Sequence, residues 1–486
     1  MATATMAAPN KKPNFFVSTW HKIKTFFVDF GKRFRDGSIG TKLSHFIFGA
    51  GNFFHGQFIK GAILLALQIG IIVFMILSPE VNGTPYGFKA LANLKLGGVE
   101  PIIDEWGGSI PGTDDKLCLL FGLATIAIII LYIILWFVSI KSSYKADMDV
   151  KIGKKPTTFK QDCAELLGSK FHILMLTPTM LAALLFTILP TIFMICIAFT
   201  GYNQLDMSEN NTTLFRWNGF SNFYQMFAGQ TKLGYEIKAR FFPVLGWTVI
   251  WAIFATITCY FGGILLALLI NKKGLKGKKV FRTFFVITIA VPQFISLLAV
   301  RNLFNAVGPI NSLLKDLGWI TESIKFFGGS ATDPGNEYVA KVMVIIINMW
   351  LGIPYTMLMT SGILMNIPAD LYEAGTVDGA SKSKMFFKIT LPYVIFVTTP
   401  YLISSFIGNI NSFNTIFLLT NGYPIYSGYS AGGTDLLVTW LYKLTIESQQ
   451  YNTGAVIGIL TFMITATITL ITYRNSKAYK EEDTFQ

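Results

Sequence analysis

The chain has 486 residues, of which 52% are hydrophobic and only 14% charged. Soluble domains carry about 25% charged residues, and disordered chains need low hydrophobicity, so the composition excludes both an ordinary soluble enzyme and a disordered segment. Forty Lys and Arg against 27 Asp and Glu leave a formal charge of +13, yet the cations lie between long apolar runs. That placement points to orientation in a membrane and not to a nucleic-acid surface. Cys118, Cys163, Cys196 and Cys259 form no CxxC pair, and His21, His45, His55 and His172 show no metal-ligand spacing. No GxxxxGK[ST] loop occurs, so the chain is expected to hydrolyse no nucleotide and to hold no cofactor or metal itself.

The N-terminal arm, residues 1–58, comes first. Phe16, Trp20, Ile23, Phe27, Phe30 and Phe34 recur at steps of four and three, with Lys22, Lys24, Lys32 and Arg33 off that face. The pattern predicts an amphipathic helix on the anionic cytoplasmic leaflet, with packing on protein as the other reading. The Gly-rich stretch Phe46–Gly61 is expected at the interface too. A bilayer-spanning helix needs about 20 apolar residues. Eight candidates follow: Ile59–Ser78, Cys118–Ile140, Leu174–Thr200, Pro243–Asn271, Phe281–Phe304, Val339–Leu364, one beginning near Ile389, and Gly454–Tyr473. The fold class expected is therefore an all-α integral membrane protein of eight spans.

Loop charges orient these spans. The arm, the stretch after span two (Lys141 to Lys170) and the link Lys272–Lys279 are lysine-rich, whereas 79–115 and 305–337 are acid-biased. Both termini, including the tail 475–486, are then cytoplasmic. Residues 59–140 read as a pair of additional spans ahead of a six-span core at 171–474. No cleavable leader is expected, because the first apolar run lies far from Met1.

Between spans six and seven lies an elbow, 367–392. Pro368 suits a first helical turn, Asp370 and Glu373 suit a helix N-terminus, and Gly379 permits a sharp turn. A second helical piece, Ser381–Lys388, leads into Ile389 and Pro392 at the mouth of span seven. The result is a stiff helix–turn–helix, shaped to dock on a cytoplasmic partner. Glu373-Ala374-Gly375, then Gly379, then Ile389-x-Leu391-Pro392 resembles the EAA motif of ABC importer permeases, with Asp370 and Asp378-Gly379-Ala380 strengthening the match. Gly375 departs from it, standing where the motif has a second Ala. Leu351-Gly352-Ile353-Pro354-Tyr355, Ser405 to Phe413, Leu418 to Gly422 and Thr434 to Val438 resemble the larger, eight-span maltose/maltodextrin type, from about Phe171 to Tyr473. The loop Gly201–Phe242 is short where that type can carry a folded domain.

The resemblance implies a type I ABC importer permease fold in a bacterial cell membrane. It implies a second permease subunit as heterodimer partner, two copies of an ABC ATPase that use ATP and Mg, an extracellular sugar-binding protein, membrane lipid and no nucleic acid. Asp370, Glu373, Ala374, Gly375, Asp378, Gly379, Ile389, Leu391 and Pro392 would couple to the ATPase. The apolar run from Ile389 to Thr420 has 32 residues, about 48 Å as a helix, against about 30 Å of hydrocarbon. A break is expected at the polar residues Asn409, Asn411, Ser412 and Asn414, where transporters hold substrate. Ser405, Asn409 and Ser412 share one helical face by spacing. By resemblance, Gly352 and Tyr355 line the same sugar cavity and Gly408 replaces a bulkier aromatic. Asn411 joins the set, and Asn348 and Trp350 fit either the cavity or helix packing. Arg301 is read as snorkelling to headgroups. The reading is a sugar importer subunit with no catalysis of its own. An ABC permease for a polyol or glycerol phosphate, and an ion-coupled secondary transporter, are the alternatives.

Overall fold

The computed structural model describes residues 15–81, 83–96, 102–103, 109–110, 115–202, 216–229, 232–272, 274–329 and 333–475. Among the described residues, seven helices are long and apolar enough to cross a membrane, and a bent pair makes eight. The chain divides into two units, residues 1–194 with 210–216, and residues 195–209 with 217–486.

In the first unit, span one is Phe58–Leu77 and span two is Lys116–Lys151. Span two continues well past the expected end at Ile140. Its 36 residues measure about 54 Å, so Lys141, Lys145 and Lys151 extend a helix, and the loop begins only after Lys151. Residues 38–57 fold against that extension through small polar side chains. The Ser44 and Ser143 hydroxyls lie 2.7 Å apart, the Ser143 hydroxyl donates to Asn52 Oδ1 at 2.9 Å, and Gly49 N–H donates to Ser139 Oγ at 2.8 Å. The stretch 46–61 thus has a buried edge, while Phe46, Phe54 and Phe58 stay exposed.

The N-terminal helix runs Phe15–Asp36. The side chains of Phe16, Trp20, Ile23 and Phe27 lie outside the described residues. At the end that is described, Phe30 packs edge-on against His45, Trp136 and Phe137, and Phe34 against His45. Here the chain itself covers part of the face assigned to lipid. The expectation of an all-helical chain also needs a small correction. Glu80–Val81 pairs with Thr84–Pro85, and Ile102–Ile103 with Ser109–Ile110, as two antiparallel ladders of two residues.

Span three, Phe171–Ile197, links the units and carries a π turn at Leu184–Ile188. Pro190 follows directly. A proline has no N–H to offer the carbonyl four residues back, and the ladder widens to an i→i−5 bond, Leu189 N–H to Leu184 C=O.

The second unit holds span four (Gly234–Asn271), span six (Glu337–Met365), span seven (Lys382–Ile410) and span eight (Tyr451–Arg474). Spans four and six cross closely because small residues meet there. A Cβ on Gly263 would sit 2.4 Å from Thr356 Cβ, and one on Gly352 would sit 2.5 Å from Cys259 Sγ. A buried cluster that includes Trp247, Trp251, Leu297, Val344, Ile416 and Leu436 fixes these helices to the segments around them.

Span five is not the single helix Phe281–Phe304 that its hydropathy suggests. Lys278–Ala290 and Gln293–Leu303 meet at 94°. The cause is local. Pro292 forces the preceding Val291 into extended backbone (ψ 127°), and Pro292 itself caps the second helix. Span seven does break where its polar residues predict: the helix ends at Ile410, and Phe413–Leu419 starts after Asn411 and Ser412.

Candidate functional site

A cavity of about 380 Å³ opens among spans four, five, six and seven. Its size lies in the ordinary range for small-molecule pockets. Gly352, Tyr355, Ser405 and Asn409 all line it, as does Asn348. The broken span five contributes Thr288, the backbone turn at Val291–Pro292, and Gln293. No carboxylate, amine, guanidinium or imidazole is among the lining residues.

Several of the polar wall residues are held by another helix. Asn409 donates from Nδ2 to Thr256 Oγ1 at 2.9 Å, and its carbonyl accepts from Trp251 Nε1 at 3.0 Å. The last turn of span seven is thereby tied to span four just before the break. The Asn348 amide donates to Cys259 Sγ at 3.4 Å. Gln293 Nε2 donates to Thr415 Oγ1 at 3.5 Å. Tyr401 and Thr356 hydroxyls lie 3.5 Å apart. Tyr355 is the exposed aromatic of the wall, at 58%.

Two sequence-predicted residues lie elsewhere. Asn411 is exposed beyond the break and donates to the Ile407 carbonyl at 3.1 Å. The Ser412 hydroxyl donates to Thr415 Oγ1 at 3.1 Å. The i, i+4, i+7 argument fails for Ser412 because the helix that it presumes ends at Ile410. Trp350 is half-exposed outside the cavity lining, and a Cβ on Gly408 would meet nothing within 4 Å. Gln293, Thr288 and Tyr401 were not singled out from sequence. The signal available for the first was Val291-Pro292, a proline inside an apolar run.

The elbow is the second candidate. Helix Ala369–Val377 follows Pro368, which sits one residue ahead of the expected first turn. Its end is a Schellman motif. Gly379, at φ +69°, donates from its N–H to Thr376 C=O (3.1 Å), and Ala380 donates to Gly375 C=O (2.9 Å). Ser381 caps the next piece, Lys382–Met385, through a bond from Lys384 N–H. A π turn, Phe386–Thr390, then runs into Leu391 and Pro392, so the expected Ser381–Lys388 helix joins span seven without a gap.

The two arms of the elbow are locked together. The hydroxyls of Tyr372 and Thr390 lie 2.8 Å apart. A methyl added to Gly375 would touch Met385 at 3.4 Å and Ile389 at 3.5 Å, so this face of the first arm rests on the second. The opposite face has no cover: Asp370, Leu371, Glu373, Ala374, Val377 and Asp378 are exposed. An apolar Val377 at 88% exposure beside carboxylates is a surface ready for a partner.

At the end of span six away from the elbow, segment 420–443 is held by buried charge. Asp435, fully buried, accepts from Gly432 N–H (2.7 Å), the Thr439 hydroxyl (2.9 Å) and Lys443 Nζ (2.7 Å). Nearby, Tyr426 donates to Glu337 Oε2 and lies under the Arg240 guanidinium at 4.6 Å. Burial, and then the Glu337 carboxylate, push the Tyr426 hydroxyl up to about 12.

Comparison with known proteins gives this architecture its place. Residues 259–478 match the family described as binding-protein-dependent transport system inner membrane component. The chain is 31% identical over 439 residues to the galactooligosaccharides transport system permease protein of Bacillus subtilis (strain 168), covering 89% of this chain and 96% of that one. It is 32% identical over 443 residues to a maltodextrin transport system permease protein of Streptococcus pneumoniae (serotype 4), covering 90% and 95%. A solved bacterial ABC transporter involved in import of the acidic polysaccharide alginate shares the fold, with TM-score 0.51 and 20% identity over 65% of this chain and 98% of that one. The chain is thus a multi-pass membrane protein and belongs to the family of binding-protein-dependent transport system inner membrane components, the permease subunits of ABC importers.

Proposed function

We propose that this permease carries an oligosaccharide of maltodextrin type. The observation that carries the reading is the cavity wall: hydroxyls and amides from Tyr355, Ser405, Asn409, Asn348 and Gln293, with no fixed charge. Such groups both donate to and accept from sugar hydroxyls, and a neutral sugar needs no counter-charge. A phosphorylated solute would call for Arg or Lys in that wall, and an ion-coupled carrier would call for carboxylates. The names of the two bacterial relatives, both oligosaccharide permeases, support the same cargo.

The elbow is the ATPase contact in this reading. A second permease subunit completes the path, two ATPase copies bind below, and an extracellular sugar-binding protein delivers cargo. ATP and Mg belong to the ATPase, and this chain is non-catalytic and holds no cofactor. Both termini are cytoplasmic, and the core from 171 to 474, which follows the two additional spans in the sequence, forms the path. ATP favours one arrangement of the ATPase pair, and a stiff elbow passes that bias to spans six and seven. Uptake by the complete complex, measured on a panel of labelled neutral oligosaccharides, acidic sugars, polyols and glycerol phosphate, tests the cargo. Saturable uptake of neutral oligosaccharides alone is expected. Preference for a charged solute or a polyol would overturn the reading.

A further inference from the structure

A second cavity, of about 320 Å³, lies at the end of the second unit away from the elbow. Arg301, Phe304, Asn305, Lys325, Phe326 and Tyr423 are in its wall. Arg301, read from the sequence as reaching for headgroups, lines this cavity. It is half-buried, and its guanidinium donates from Nη1 to the Leu418 carbonyl over a long 3.5 Å. Lys325 pairs with Asp333, so its charge is matched, and Arg301 has no carboxylate partner among the described residues. Phe304 and Phe326 meet edge-to-face, with centroids 5.2 Å apart, and present ring surface beside these donors.

The two cavities share two walls in series. Gln293 lines the first and Arg301 the second, on one helix, eight residues and about 12 Å apart. Helix Phe413–Leu419 runs beside it: Thr415, near its start, takes the bond from Gln293, and Leu419 and Thr420 at its end line the second cavity. We propose that the second cavity is an outer subsite for a further glycosyl unit of the same oligosaccharide. The chemistry fits: aromatic rings for the apolar face of a pyranose, and guanidinium, ammonium and amide donors for its hydroxyls. Its size is at the low end of the small-molecule range. The inference rests on the oligosaccharide cargo proposed above. It adds that chain length is read outside the central cavity, by Arg301 and its neighbours.

The test is uptake by the complete complex of a labelled disaccharide, trisaccharide and tetrasaccharide from one homologous series. Arg301→Gln and Tyr423→Ala are expected to raise KM for the tetrasaccharide about tenfold and to leave disaccharide KM and basal ATPase activity unchanged. Arg301→Lys, which keeps the charge and loses the fork, should fall between. If Arg301→Gln does not assemble, Asn305→Ala, at an exposed wall position, should give the same dependence on length. An equal effect on every length, or none, would overturn the outer subsite and leave the cargo reading intact. A wild-type complex that imports no saccharide would sink the cargo reading and this subsite with it.

Discussion

The elbow draws its geometry from one contiguous stretch, whereas the central cavity is assembled from four spans scattered between residues 255 and 409. In the elbow the partners lie within one short stretch: Ser381 and Lys384, and Gly379 and Thr376, are three positions apart, and Tyr372 reaches Thr390 eighteen positions on. In the cavity three wall residues answer to distant ones: Asn409 to Thr256, Asn348 to Cys259, Gln293 to Thr415. Local devices tolerate changes in the rest of the fold. Distributed ones fail when any single helix shifts.

The largest effect should come from the turn. Gly379→Val forces a β-branched residue to φ +69°, although its Cβ meets no atom within 4 Å. The strain is of order 1–3 kcal/mol, enough to open a short surface elbow. Uptake should fall to background and ATPase should fail to co-purify, while Gly379→Asn, which tolerates that backbone, retains both. Unimpaired uptake in the valine variant would mean that the elbow needs no fixed turn. In the cavity, Gly352→Val drives a methyl into Cys259. Overpacking should destabilise the span crossing by about 1–3 kcal/mol, read as lowered thermal stability of the complex, and Cys259→Ala should restore part of it. No rescue would separate Gly352 from that crossing.

Tyr426→Phe removes a bond to a carboxylate, worth about 1.5–3 kcal/mol. Because the folded hydroxyl titrates at about 12 against an ordinary value of 10, its stabilisation is complete below pH 10 and is lost as pH rises from about 10 to about 12. The phenylalanine variant should be less stable at neutral pH and should lack that alkaline decline in a thermal scan. Tyr355→Ala and Asn409→Ala should each raise KM for the transported solute about tenfold, near 1.4 kcal/mol, with ATPase assembly intact. Unchanged kinetics would remove them from the path. The smallest effect is a gain. Gly375→Ala finds ordinary contacts at 3.4–3.5 Å and adds about 1 kcal/mol of helix propensity. Coupling should hold or improve slightly. A loss of ATPase binding would show that the bare backbone at 375 is itself the contact.

The contrast also explains what the sequence made legible. Spans, loop charges and the elbow rest on composition and spacing along the chain, so seven spans and the Asn411–Ser412 break could be read directly. Gly352, Tyr355, Ser405 and Asn409 reach one cavity because they lie on unbroken helices. Ser412 does not share the face of Ser405 and Asn409, because spacing rules hold only within one helix. Hydropathy hides the 94° turn at Val291–Pro292, because it averages over a proline. Prolines 243, 354 and 400 sit inside helices that continue, so the residue alone does not decide. Asp435 lies in a stretch that resembles maltose-type permeases, yet it serves as a buried anchor, which only the fold reveals.

The π turns carry a mechanical corollary. Phe386–Thr390 holds one residue more than an α-helical path would need, and Pro392 keeps it from relaxing. That surplus sets the azimuth of the elbow on the axis of span seven. Trimming a single position there would swing the exposed pair Glu373 and Val377 by about 100° around that axis. If the elbow is the ATPase contact proposed above, the ATPase would then meet the wrong side of the same helix.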